Sequence, residues 1–80
     1  MHDNTAKSRF ELIGEGGDVF ADYRVDGDKL VIAYVFAAPE LRGSGAAGRL
    51  MQDIADHATA NNLTIVPLCG YAASWLKRHA

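Results

Sequence analysis

Eight consecutive residues, Leu30-Val31-Ile32-Ala33-Tyr34-Val35-Phe36-Ala37, form an almost wholly apolar run that leads through Pro39 into Leu41-Arg42-Gly43-Ser44-Gly45. A helical pattern follows: Ala47, Leu50, Met51, Ile54, Ala55 and Ala58 recur at helical spacing, while Arg49, Gln52, Asp53, Asp56 and His57 take the other face. The succession predicts a strand, a glycine-rich turn and an amphipathic helix, and the rest of the chain must arrange itself around them. A strand apolar on both faces belongs inside a sheet, covered on both sides. Unpaired N–H groups and the dipole at the start of the helix make a site for an anion, and Gly43 and Gly45 let that anion approach the backbone closely.

The flanking segments supply the remaining layers. Arg9-Phe10-Glu11-Leu12-Ile13 alternates apolar with polar and predicts a first strand, ended by a turn at Gly14-Glu15-Gly16-Gly17-Asp18. Val19, Ala21, Tyr23 and Val25 alternate with Phe20, Asp22 and Arg24 in a second strand, and Asp26-Gly27-Asp28 closes a hairpin onto the apolar third strand. After the helix, Asn61-Asn62 predicts its end and Leu63-Thr64-Ile65-Val66 a short buried strand stopped by Pro67. A strand, helix, strand order implies a right-handed crossover with the fourth strand parallel to the third. Residues 71–79 place Ala72, Trp75, Leu76 and His79 on one face of a second helix, with Lys77 and Arg78 suited to its C-terminal end.

Eighty residues make a single domain near the lower size limit for a core without a staple. A net charge of −2 with 22% charged residues argues against nucleic acid as a partner. The one cysteine, Cys69, cannot form an internal disulfide, which suits a reducing compartment and points to the cytoplasm. No apolar run approaches the roughly 20 residues of a membrane span, and Met1-His2-Asp3-Asn4-Thr5 lacks the apolar segment of a signal peptide. Residues 1–7 read as a flexible polar tail and 8–80 as the folded domain.

Arg42-Gly43-Ser44-Gly45-Ala46-Ala47 resembles the pyrophosphate signature of the GNAT superfamily of acyl-CoA-dependent N-acetyltransferases: Arg or Gln, two residues, Gly, one residue, then Gly or Ala. Pro39-Glu40-Leu41-Arg42-Gly43, Ile65-Val66-Pro67-Leu68-Cys69 and Trp75-Leu76-Lys77-Arg78-His79 are similar to the very small GNAT-like subfamily. The resemblance covers nearly the whole chain. It implies an α/β domain with a minimal β-β-β-α-β-α fold and a mixed, mainly antiparallel sheet, binding acetyl-CoA as cosubstrate without a metal.

By that resemblance the turn, through Arg42, Gly43, Ser44, Gly45, Ala46, Ala47 and Gly48, surrounds the pyrophosphate of coenzyme A. The backbone of Val35, Phe36 and Ala37 then pairs with pantetheine as with an added strand. Members of the small subfamily have a Cys where Cys69 stands, and its place before a helix favours the thiolate. Two roles stay open: Cys69 relays the acetyl group, or it lines the site while an amine attacks acetyl-CoA directly. Tyr34 stands where relatives often have a His; it hydrogen-bonds a substrate, donates a proton, or belongs to the core. Larger relatives place a Tyr in the last helix to protonate the departing thiolate. Trp75 takes that place here, as core or as a wall of the pantetheine channel, and an indole is no such acid. His57 and His79 read as structural or solvated, and Glu40 as a surface residue.

The resemblance implies acetyl transfer to an unidentified amine, small molecule or protein, by a monomer or homodimer without nucleic acid or membrane. A non-catalytic acyl-CoA-binding or sensing module is the alternative.

Overall fold

The computed structural model describes residues 1–12 and 18–79. Ile13 and the turn predicted at Gly14, Glu15, Gly16 and Gly17 lie outside the described residues. The strands are β1 (His2–Asn4), β2 (Arg9–Glu11), β3 (Val19–Asp26), β4 (Lys29–Ala37) and β5 (Thr64–Pro67); the helices are α1 (Ala46–Ala60) and α2 (Gly70–Arg78). They form one sheet in the order β1-β2-β3-β4-β5, antiparallel except for the parallel pair β4 and β5. This is the α/β architecture expected from the sequence, with one strand more.

The additional strand is β1. Residues 2–4, read as part of a loose polar tail, pair with β2, His2 opposite Glu11 and Asn4 opposite Arg9. Ser8, in the left-handed conformation at φ 50°, turns the chain after a short 3-10 turn (Thr5–Lys7), and the Tyr23 hydroxyl donates to Asp3 Oδ1 at 2.5 Å. Three polar residues carry no alternation strong enough to announce a strand, and a polar edge is what keeps a sheet from pairing with other chains.

The β3–β4 hairpin turns on Gly27 at φ 62° as the first of two loop residues, so the turn needs glycine there rather than at the whole Asp-Gly-Asp triplet. Further along, Asp22 faces Tyr34 while its neighbour Tyr23 faces Ile32, leaving Ala33 as a bulge. The bulge changes which side chains face the helices. Leu30 and Ile32 are buried in the core before it, and Val35 and Ala37 pack against the core after it. Tyr34 and Phe36 are turned to the opposite face, where Phe20 stacks on Phe36 at 5.1 Å and Tyr34 is 50% exposed. The expectation that this strand is covered on both faces is therefore corrected: it is internal in the sheet, but its outer face past the bulge is open.

Both helices contribute to a single core. Leu50, Met51 and Ile54 of α1 and Ala72 of α2 are fully buried with Phe10, Ala21, Leu30 and Ile32. Each large apolar side chain so placed is worth about 1.5–3 kcal/mol. Helix α1 begins at Gly45, φ 87°, and ends where Asn62 turns left-handed at φ 56°, with the Leu63 N–H donating to the Ala58 carbonyl at 2.8 Å and the Asn62 N–H to Thr59 at 3.3 Å.

Strand β5 pairs with only the first part of β4, from Lys29 to Ile32, and Pro67 closes it. The Leu68 N–H reaches the Ile32 carbonyl at 2.9 Å, and from Ala33 onward β4 keeps β3 as its sheet neighbour but has none on the β5 side. The gap between the two diverging strands positions the site.

Candidate functional site

A cavity of about 540 Å³ opens where β4 and β5 part. One wall is Tyr34, Val35, Phe36 and Ala37 at the end of β4, and the facing wall is the turn and first residues of α1. Pro39, Glu40 and Leu41 form a single 3-10 turn that carries the chain off the sheet, and Gly43 and Gly45 follow at φ 85° and 87°. Space does not demand glycine at position 43, where a β carbon would meet nothing within 4 Å; the backbone conformation does. The turn is tied by its own side chains. Ser44 Oγ donates to the Leu41 carbonyl at 2.6 Å and accepts from the Ala46 N–H at 3.2 Å, and Arg42 Nε donates to the Ala37 carbonyl at 3.2 Å.

Eight of the ten residues expected to hold coenzyme A line this cavity: Val35, Phe36, Ala37, Arg42, Gly43, Gly45, Ala47 and Gly48. Ser44 and Ala46 do not. Ser44 is spent on bracing the turn, and Ala46 is fully buried in the core. Helix geometry leaves the first-turn N–H groups of Ala47 and Gly48 without intrahelical acceptors, so donors and the positive end of the dipole face the cavity beside the Arg42 guanidinium. Among the described residues, no group of three or more His, Cys, Asp or Glu is arranged to hold a metal. No helix among them is long and apolar enough to cross a membrane.

Two lining residues were not singled out in the sequence: Leu41 and Tyr71. Trp75, considered for a wall of the channel, is 6% exposed in the core and does not line this cavity. Tyr71 lies one helical turn before it and presents its ring there instead. The helical pattern of α2 contained the signal, because residues 71 and 75 share a face and the earlier one lies nearer the sheet opening. Of the histidines, His57 meets Phe10 edge-on at 5.2 Å and His79 lies flat against Trp75 at 4.2 Å, and neither lines this cavity.

Cys69 precedes α2 as its N-cap residue, a partly buried free thiol packed against the core. Burial pushes the thiol pKa up, but backbone N–H groups of Ala72, Val35 and Tyr71 directed at the sulfur outweigh it, and the net value lies below that of an ordinary thiol. Two of those donors open α2; the third belongs to β4, on the side that β5 has left. The structure thus brings Cys69 to the backbone expected to meet pantetheine. Tyr34 lines the cavity from the outer face of the sheet, half exposed, with Phe20 as its ring neighbour at 6.4 Å. It is not a core residue.

A sequence model of GCN5-related N-acetyl-transferases matches residues 9–80. Among curated proteins there is no match.

Proposed function

The chain belongs to the GCN5-related N-acetyltransferase family, and from that premise we propose that it transfers an acetyl group from acetyl-CoA to an amine. The observation that carries this reading is the cavity itself, in which the edge of β4 past its pairing with β5, two left-handed glycines, Arg42 and the start of α1 converge on one channel. A polyphosphate fits the turn end, where backbone N–H groups and a guanidinium meet it. An amide-bearing arm fits the β4 end, where backbone groups without a sheet neighbour accept it as they would a strand.

Acetyl-CoA supplies the activated thioester. The chain's own part is to orient that thioester between Val35 and Cys69. In the relay, Cys69 Sγ forms a bond to the acetyl carbon as the bond from that carbon to the coenzyme sulfur breaks. The departing thiolate takes a proton from the Tyr71 hydroxyl, which lines the cavity. The acceptor amine then displaces Cys69, its lost proton restores the Tyr71 hydroxyl, and the thiolate returns to its three N–H donors. In direct transfer the amine attacks the thioester carbonyl, the bond to the coenzyme sulfur breaks, the thiolate leaves with the Tyr71 proton, the amine's lost proton restores Tyr71, and the Val35 N–H serves the carbonyl oxygen.

The test is incubation with acetyl-CoA and a panel of amines, read by free coenzyme thiol and by intact mass. Coenzyme release matched by an acetylated amine, or by one acetyl group on Cys69, is the expected result. Tight binding with neither product contradicts the enzyme and leaves a binding module.

A further inference from the structure

Both helices pack on one face of the sheet, and past the bulge the other face is open. Cross-strand neighbours share a face, so the pairings place Phe20 with Glu11 and Phe36, and Asp22 with Arg9 and Tyr34, on that open side. Asp18, two residues before Phe20, follows the same alternation and is exposed. One cation already sits on this surface. The Arg9 guanidinium carbon lies 3.8 Å from the centre of the Phe20 ring, while Nε donates to Asp22 Oδ1 at 2.7 Å. Asp22, Glu11 and Asp18 all act on that single charge.

Among the described residues, the face past the bulge thus carries these three carboxylates and one guanidinium beside the Phe20, Tyr34 and Phe36 rings. His2 stands 4.0 Å from Glu11, and Arg24 lies on the other side of the bulge, opposite Val31. The excess of negative charge repels polyanions and a second copy of the same face, and it attracts cations. Aromatic rings add to that attraction and cover the aliphatic stem of a lysine or arginine. Small ligands favour concave sites, whereas this surface is the broad side of a sheet. We propose that the open face docks a basic peptide segment of a partner protein, whose cationic side chains pair with Asp18 and Glu11 and compete with Arg9 for Phe20 and Asp22. Tyr34 and Phe36 also line the cavity between β4 and α1, so a segment docked here reaches its mouth. The docking goes beyond the acyl-transfer reading and stands without it.

The experiment is fluorescence anisotropy of a labelled peptide of alternating lysine and serine, titrated with the whole chain in the absence of coenzyme. The lysine peptide is expected to bind with an affinity that falls as salt rises, and the same peptide with glutamine at every lysine is expected not to bind. Asp18→Asn should weaken binding by up to about fivefold, the scale of one exposed ion pair. Asp56→Asn, an equal change of charge on the exposed side of α1, should leave it unchanged. Arg9→Gln should tighten binding by about twofold to fivefold, the scale of one exposed cation–π contact, and by more than Arg24→Gln, which removes the same charge beyond the bulge. Absence of binding, or equal weakening by Asp18→Asn and Asp56→Asn, overturns the inference, and so does an Arg9→Gln variant that binds no more tightly than the native chain. Displacement of the peptide by spermine at equal concentration gives the face to a small polycation and overturns it as well. A dimer in sedimentation whose formation excludes the peptide gives the face to a second copy, with the same consequence. None of these outcomes bears on the acetyl-CoA reading, since the coenzyme is left out.

Discussion

Gly48 of α1 faces the indole nitrogen of Trp75 on α2: a β carbon at position 48 would lie 3.6 Å from Trp75 Nε1 and 3.8 Å from the Tyr71 hydroxyl. Both are ordinary contact distances, so packing does not require glycine there, although glycine costs a helix about 1 kcal/mol relative to alanine. Gly48 also lines the cavity between β4 and α1, where a β carbon takes space from a ligand on the turn. Gly48→Ala should therefore raise stability in urea unfolding by up to about 1 kcal/mol while weakening acetyl-CoA binding by titration. A variant that is stabilised and binds as tightly as the native chain would show that the cavity does not need glycine at position 48.

Cys69 supplies the second prediction. Its alkylation rate against pH should follow thiolate formation with a midpoint below that of an ordinary thiol, because the N–H groups of Ala72, Val35 and Tyr71 outweigh its burial. Cys69→Ala should abolish acetyl transfer if the cysteine relays the group, with acetyl-CoA binding retained. Full activity in that variant would establish direct transfer.

The two cavity tyrosines should behave differently. Tyr71→Phe should lower kcat by about a hundredfold or more with little change in KM, since its hydroxyl is the proton source proposed for the departing thiolate. Tyr34→Phe, on the open face of the sheet, should change kcat less than twofold. Steady-state kinetics on both variants decide it, and the reverse ranking would move the acid to Tyr34.

Much of this site was legible in the sequence because strand, turn and helix each write their own period. Gly43 and Gly45 stand where positive φ occurs, and the apolar stripe of α1 is the buried one. The bulge at Ala33 was not legible, since nothing in an unbroken apolar run marks where one residue loses its partner. That single insertion decides whether Tyr34 or Val35 faces the helices. Cys69 could be placed before a helix from local pattern alone. Its meeting with the Val35 N–H depends on how far β5 follows β4, which is a matter of tertiary pairing. Ser44 Oγ braces the turn, a role that only hydrogen-bond geometry shows.

The extra edge strand has its own signature. The Tyr23 phenol, stacked on Phe10 at 4.1 Å, is pushed up to about 12, first by burial and then by its hydrogen bond to Asp3 and the Asp3 charge. The native chain therefore holds this proton more tightly than the unfolded chain, whose tyrosines titrate near 10. The resulting stabilisation is present in full below about pH 10 and is lost as pH rises toward about 12. Phenolate absorbance should show one late-titrating tyrosine, and Tyr23→Phe should remove that component and flatten the alkaline fall in stability. A Tyr23 that titrates near 10 would mean that Asp3 does not hold β1 in place.

The cavity between β4 and α1 is proposed to hold acetyl-CoA, and thermal unfolding of the intact chain in rising acetyl-CoA tests this directly. Ligand at about a hundred times Kd should add about 2.7 kcal/mol and raise Tm by roughly 10–20 °C in a domain of this size. A Tm that does not move at millimolar acetyl-CoA would contradict it.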